Sequence, residues 1–139
     1  MKRRLYWAYG ANLNHAGMQA RCPRARPLGA FYRPGLALMF DGVATVRPGP
    51  QAAGGLWSIT EHCEASLDQF EGWPDFYRKQ YFDLQGETVM YYVMNSSDLN
   101  PPGSGYLAVI RQGYHDFGLD TTLLDQAVEH SCPSLETQI

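Results

Sequence analysis

A chain of 139 residues is long enough for one domain that buries roughly two-thirds of the surface its unfolded form exposes. Its formal charge is −3, and its basic residues are scattered from Lys2 to Arg111; nucleic acid is excluded as an expected partner, because backbone binding needs a concentrated positive field. The apolar run after the basic residues 1–4 stops within a few positions, short of a signal-peptide core and of the roughly 20 residues that cross a bilayer, so a soluble cytoplasmic protein with no membrane partner is expected.

Arg4 to Tyr9 reads as a strand that ends abruptly at Gly10, and Asn14 to about Arg21 as a short helix before the breaker-rich CPRARPLG. Three strands are predicted next, Leu28 to Tyr32, Leu36 to Phe40 and Val43 to Arg47, with Asp41-Gly42 turning a hairpin between the last two. RPGPQAAGG is predicted to be a loop, since its prolines remove ladder donors and its glycines add chain entropy. GLWSI returns as a strand. From Thr60 the period changes: Cys63, Leu67 and Phe70 recur at i, i+4 and i+7, one helical face, with Thr60 as N-cap and Gly72 as the stop. Arg78 to Leu84 and Thr88 to Met94 form a second hairpin about QGE, and NSSDLNPPGSG is a loop. Leu107, Ile110, Tyr114 and Phe117 mark a helix ended by Gly118, and Thr121 to His130 a last one. The expected whole is a single α+β domain over residues 1–131, a mainly antiparallel, strongly curved sheet with flanking short helices, followed by a frayed tail over 132–139.

Two stretches carry candidate chemistry. The strand feeding Tyr9-Gly10-Ala11-Asn12-Leu13 leaves successive backbone N–H groups at a small-residue corner, a concavity suited to a carboxylate or phosphate. It lacks the spacing of a dinucleotide fingerprint or a P-loop. The second stretch is SLDQFEGWPDFYRK. A carboxylate at the helix C-terminus faces unpaired carbonyls, and Phe70, Trp73 and Phe76 could desolvate it, so Glu71 is expected to hold its proton toward neutrality, as general acid/base work requires. Asp68 reads as a charge on the helix face and Asp75 as a turn former. His15, His62, His115 and His130 show no i, i+4 pairing, so no metal site is expected. Cys22, Cys63 and Cys132 are odd in number and lack CxxC spacing, which predicts neither a disulfide framework nor a zinc knuckle, with Cys63 a small core residue in a reducing compartment.

Together, Tyr9-Gly10-Ala11-Asn12-Leu13 and Leu67-Asp68-Gln69-Phe70-Glu71-Gly72 resemble the YGSNL-type and LDxxEG motifs of the gamma-glutamylcyclotransferase superfamily. GGLWSI, FYRKQYFDL, YYVMN and YLAVIRQGYHDFGL follow in the same order, so the resemblance covers nearly the whole chain. It implies a small mixed, barrel-like sheet with flanking helices and a cavity at one end. It implies cleavage of a gamma-glutamyl amide by cyclisation, releasing 5-oxoproline and a free amine, without metal or organic cofactor. By the same resemblance, residues Tyr9, Gly10, Ala11, Asn12 and Leu13 hold the glutamyl group through backbone amides, Tyr77 and Tyr92 line the cavity, and Glu71 is the proton carrier. The only partner implied is the small gamma-glutamyl substrate, and a monomer is expected. Ala11 stands where the family usually carries serine, which keeps an amide contact and removes a hydroxyl one. The alternative is a non-catalytic module that binds a small carboxylate or a partner's loop in the same cavity.

Overall fold

The structure, a computed structural model, describes residues 2–96 and 98–132. Strand β1 (Arg3–Ala8) is the spine of a five-stranded sheet, because its buried Tyr6, Trp7 and Ala8 suit a central strand covered on both faces. β1 runs antiparallel to β5 (Gly55–Thr60) and parallel to β7 (Glu87–Met94). β2 (Arg26–Ala30) and β6 (Tyr77–Leu84) form the edges, giving the order β2-β5-β1-β7-β6. β3 (Arg33–Asp41) and β4 (Val43–Ala52) make a separate two-stranded ribbon about Asp41-Gly42, with Gly42 at φ 75°.

The ribbon lies against β7 through individual hydrogen bonds rather than a ladder. The Met94 amide donates to Thr45 Oγ1 at 3.1 Å, and the Tyr77 hydroxyl donates to the Ala44 carbonyl. The result is a mixed, mostly antiparallel sheet curled into a barrel-like form, with helices α1 (His15–Arg21), α2 (Glu61–Glu71), α3 (Ser104–Phe117) and α4 (Thr121–Ser131) around it. The local signals act as expected at Thr60, Gly72 and Gly118, while Asn14, read as the first helical residue, is the N-cap of α1. Asn14 Oδ1 accepts from the Gly17 amide and Thr60 Oγ1 from the Cys63 amide, while Gly72 and Gly118 stop α2 and α3 at φ 65° and 68°.

Two expectations are corrected. RPGPQAAGG is not a loop through Ala52: β4 continues across it, paired to Arg33–Ala37 of β3 with a register shift at Pro34/Leu36. A two-stranded ribbon has only edges, so Pro48 and Pro50 can face outward without breaking a ladder on their far side. The other correction is the cysteines: Cys22, at the C-cap of α1, and Cys63, in the first turn of α2, form a disulfide with Cα atoms 5.1 Å apart. Odd number and missing CxxC spacing concealed it, because the partners are 41 residues apart and meet only in space. The bridge also removes the cysteine pattern as a ground for assigning a reducing compartment. Among the described residues no helix is long and apolar enough to cross a membrane. The expected tail beyond Cys132 lies outside the described residues.

Candidate functional site

After β1 the chain makes a short 3-10 turn over Ala11–Leu13. Leu13 N donates to the Gly10 carbonyl and Asn14 N to the Ala11 carbonyl, which closes the turn. The amides of Gly10, Ala11 and Asn12 have no intramolecular acceptor among the described residues, as the first donors of a helical turn must not. What fixes the turn is its core side. Leu13 is fully buried, and the Asn12 carbonyl accepts from Trp57 Nε1 at 3.0 Å. Gly113 of α3 lies so close that a Cβ there would sit 2.5 Å from Leu13 Cβ.

Helix α2 delivers Glu71 to the same place. Glu64, Asp68 and Glu71 recur at i, i+4 and i+7, so one stripe of the helix carries three carboxyls. The first two are neutralised. Lys79 Nζ lies 2.7 Å from Glu64 and 3.0 Å from Asp68, Arg4 lies 2.6 Å from Glu64, and the Tyr92 hydroxyl donates to Asp68 Oδ1 at 2.7 Å. Glu71 has no ion pair among the described residues; its one hydrogen bond is accepted by Oε1 from Asn12 Nδ2 at 3.2 Å. Burial pushes its carboxyl up to about 7, and Arg21 pulls it part of the way back.

Between the turn and the carboxyl is a cavity of about 130 Å³. Five tyrosines line it: Tyr6, Tyr9, Tyr77, Tyr92 and Tyr106. Burial raises every one of these phenols, Tyr106 to about 12 and the others further, so all stay neutral where Glu71 titrates. Their hydroxyls are anchored: Tyr9 donates to the Tyr92 carbonyl at 2.6 Å, and Tyr106 accepts from the Ala44 amide at 2.9 Å. Phe70 and Phe76 stand at the mouth, each about half exposed. Such a hollow can hold an anionic or polar group against fixed amides and move one proton through a single carboxyl.

Of the residues singled out in the sequence, Tyr9, Gly10, Ala11, Asn12, Glu71, Tyr77 and Tyr92 all line the cavity. Leu13 does not: its side chain belongs to the core and its amide is already spent on Gly10. Trp73 also lies elsewhere, with Lys79 Nζ 4.3 Å above its ring. Asp68 is a hydrogen-bonded anchor beneath the cavity, not a free charge on the helix face. Tyr6, Tyr106 and Arg21 were not foreseen. Tyr106 comes from the first turn of α3, just after the stretch read as a loop, and contacts Ala44 across 62 positions, so no local pattern marks it as a site residue. The acidic stripe at 64, 68 and 71 is a signal that periodicity could have given.

The fold and the hollow define a class: a curled one-domain sheet whose open end holds one largely buried, unpaired carboxyl opposite free turn amides. The model of the gamma-glutamyl cyclotransferase, AIG2-like family matches residues 6–113, and the chain belongs to that family. Among solved structures, it is similar to one described as a gamma-glutamyl cyclotransferase, with a TM-score of 0.78 and 21% identity over 96% of this chain and 90% of that one. An uncharacterized protein from Homo sapiens gives a TM-score of 0.77 at 22% identity, over 97% of this chain and 91% of that chain. An AIG2-like protein from Mus musculus gives 0.55 at 17%, over 77% and 84%. No curated protein matches the sequence.

Proposed function

We propose that the chain is a cofactor-independent cyclotransferase that releases 5-oxoproline and a free amine from a gamma-glutamyl amide. The observation that carries this reading is the unpaired Glu71 carboxyl, raised to about 7, sharing one hollow with the free amides of Gly10, Ala11 and Asn12. Family membership supports it.

The substrate's α-amino nitrogen attacks its own γ-carbonyl carbon. One C–N bond forms, the amide C–N bond breaks, and the proton lost by the attacking nitrogen reaches the departing amine, so no water is consumed. Glu71 is the proton carrier, taking the proton as carboxylate and returning it as acid. The hollow supplies proximity by holding the glutamyl chain curled. Amides at 10–12 bind the substrate carboxylate or the developing oxyanion; a donor in the latter position is worth ~3 kcal/mol. Alanine at position 11 keeps that amide. A cavity of about 130 Å³ amounts to roughly four water volumes, so it takes the glutamyl end and leaves the amine at the mouth, between Phe70 and Phe76.

Incubation of the protein with glutathione, gamma-glutamyl amino acids and gamma-glutamyl-lysine, followed by chromatography for 5-oxoproline, tests this. Product from at least one amide is expected. Ligands that raise the melting temperature yet are never consumed would favour the non-catalytic binding module.

A further inference from the structure

We propose that Arg21 is a positioning residue, which fixes the side-chain amide of Asn12 so that its NH2 group, not its oxygen, faces Glu71. Arg21 Nε donates to Asn12 Oδ1 at 3.0 Å. A guanidinium has donors only, so the Asn12 oxygen must turn toward it. The Asn12 nitrogen then points the other way, 3.2 Å from Glu71 Oε1 and 3.0 Å from the Tyr6 hydroxyl. Reversing the amide would set an oxygen against the carboxylate and an N–H against a cation. One arginine thereby gives Glu71 a donated hydrogen bond at one oxygen and leaves the other oxygen free for proton exchange.

Arg21 shares with Arg33 the absence of an ion pair among the described residues and a buried terminal nitrogen without a partner, but only Arg21 hydrogen-bonds to Asn12. The ionisable groups that face Glu71 are Arg21 from α1, Tyr6 from β1, Tyr9 beyond its end, Tyr77 from β6, Tyr92 from β7 and Tyr106 from α3. All the phenols are neutral in the range concerned, so among the described residues Arg21 is the one charge set against Glu71. The guanidinium is held in place by its stack on Phe70, 4.0 Å from the ring centre.

The catalytic consequence rests on the proposed role of Glu71, whereas the positioning can be read without turnover. Carboxyl-carbon NMR on the full chain, with glutamates labelled and Glu71 assigned by its loss in Glu71→Gln, gives the titration midpoint directly. In Arg21→Gln the midpoint is expected to rise by about one pH unit, the low end of the effect of a nearby opposite charge. Arg21→Lys, which restores a donating cation, should recover at least half of that shift. The pH at which kcat/KM changes should move with the NMR midpoint. A folded Arg21→Gln whose Glu71 midpoint stays within about 0.2 of wild type overturns the proposal. If that variant does not fold, the isosteric Asn12→Asp decides: it keeps an acceptor toward Arg21 but turns an oxygen toward Glu71, so an upward shift is expected and an unmoved midpoint overturns the idea. Shifted midpoints without 5-oxoproline from any form, wild type included, would retain the positioning and remove the cyclotransferase reading.

Discussion

Glu71 binds its proton more tightly folded than unfolded, because burial strips water from the carboxylate. Its unfolded value is near 4.5 and its folded value about 7, so between those pH values the native state holds the extra proton and stability falls as pH rises. The cost is fully present above pH 7 and amounts to about 3 kcal/mol at 1.36 kcal/mol per unit. Glu71→Gln keeps an oxygen for Asn12 and removes the charge. Urea melts at pH 8 should therefore show the variant about 3 kcal/mol more stable than wild type, and melts near pH 4 should show the two alike. Turnover of the same variant should fall by about a thousandfold, as expected for loss of a general acid/base. Equal stability at both pH values would mean that the carboxyl is solvated.

At the level of elements, the site depends on how α3 supports the turn after β1 and how α2 is pinned to the sheet. Gly113 matters because any Cβ there would sit 2.5 Å from Leu13 Cβ and 2.7 Å from the Asn14 amide. Gly113→Ala should cost about 1–3 kcal/mol by overpacking and should lower turnover by moving the amides of residues 10–12. Gly105→Ala on the same helix meets nothing within 4 Å and should leave stability level or raise it by roughly 0.5 kcal/mol. Urea melts and 5-oxoproline rates on the two variants check this; a silent Gly113→Ala would show that the turn can yield. Most helix ends, the two hairpins and Glu71's place beside a glycine stop were legible, since each follows from short-range chemistry: Thr60 as a cap, Gly72 and Gly118 in the left-handed region, Asp41-Gly42 at a turn. The continuation of β4 through Pro48 and Pro50 was not, because propensity cannot tell an edge from a centre. Phe70 shares the period of Cys63 and Leu67 yet stands about half exposed at the cavity mouth, since the helix has ended where the core would have continued.

On the scale of the whole molecule, the hollow exists because two sheets lean together without a shared ladder, with Thr45 and Tyr77 bridging β4 to β7 and β6. None of those pairs lies close in sequence, and Tyr106 meets Ala44 across 62 positions, which is why Tyr106 and Ala44 escaped a local reading. Helices α1 and α2, which carry Arg21 and Glu71 to opposite sides of Asn12, are tied by the Cys22–Cys63 disulfide. Its 41-residue separation implies about 4 kcal/mol of stabilisation through the unfolded chain. Complete reduction, verified by thiol titration, should lower the melting temperature by about 10 °C. An unchanged melting temperature after full reduction would contradict the bridge's role.

The most direct single measurement is 5-oxoproline release from a gamma-glutamyl amide as a function of pH, with wild type and Glu71→Gln side by side and both shown folded by circular dichroism. Wild type should release product with a rate that changes around the ionisation near 7, and the glutamine variant should release essentially none. Equal rates in the two proteins across the pH range would remove Glu71 as the proton carrier, and the cyclotransferase mechanism with it.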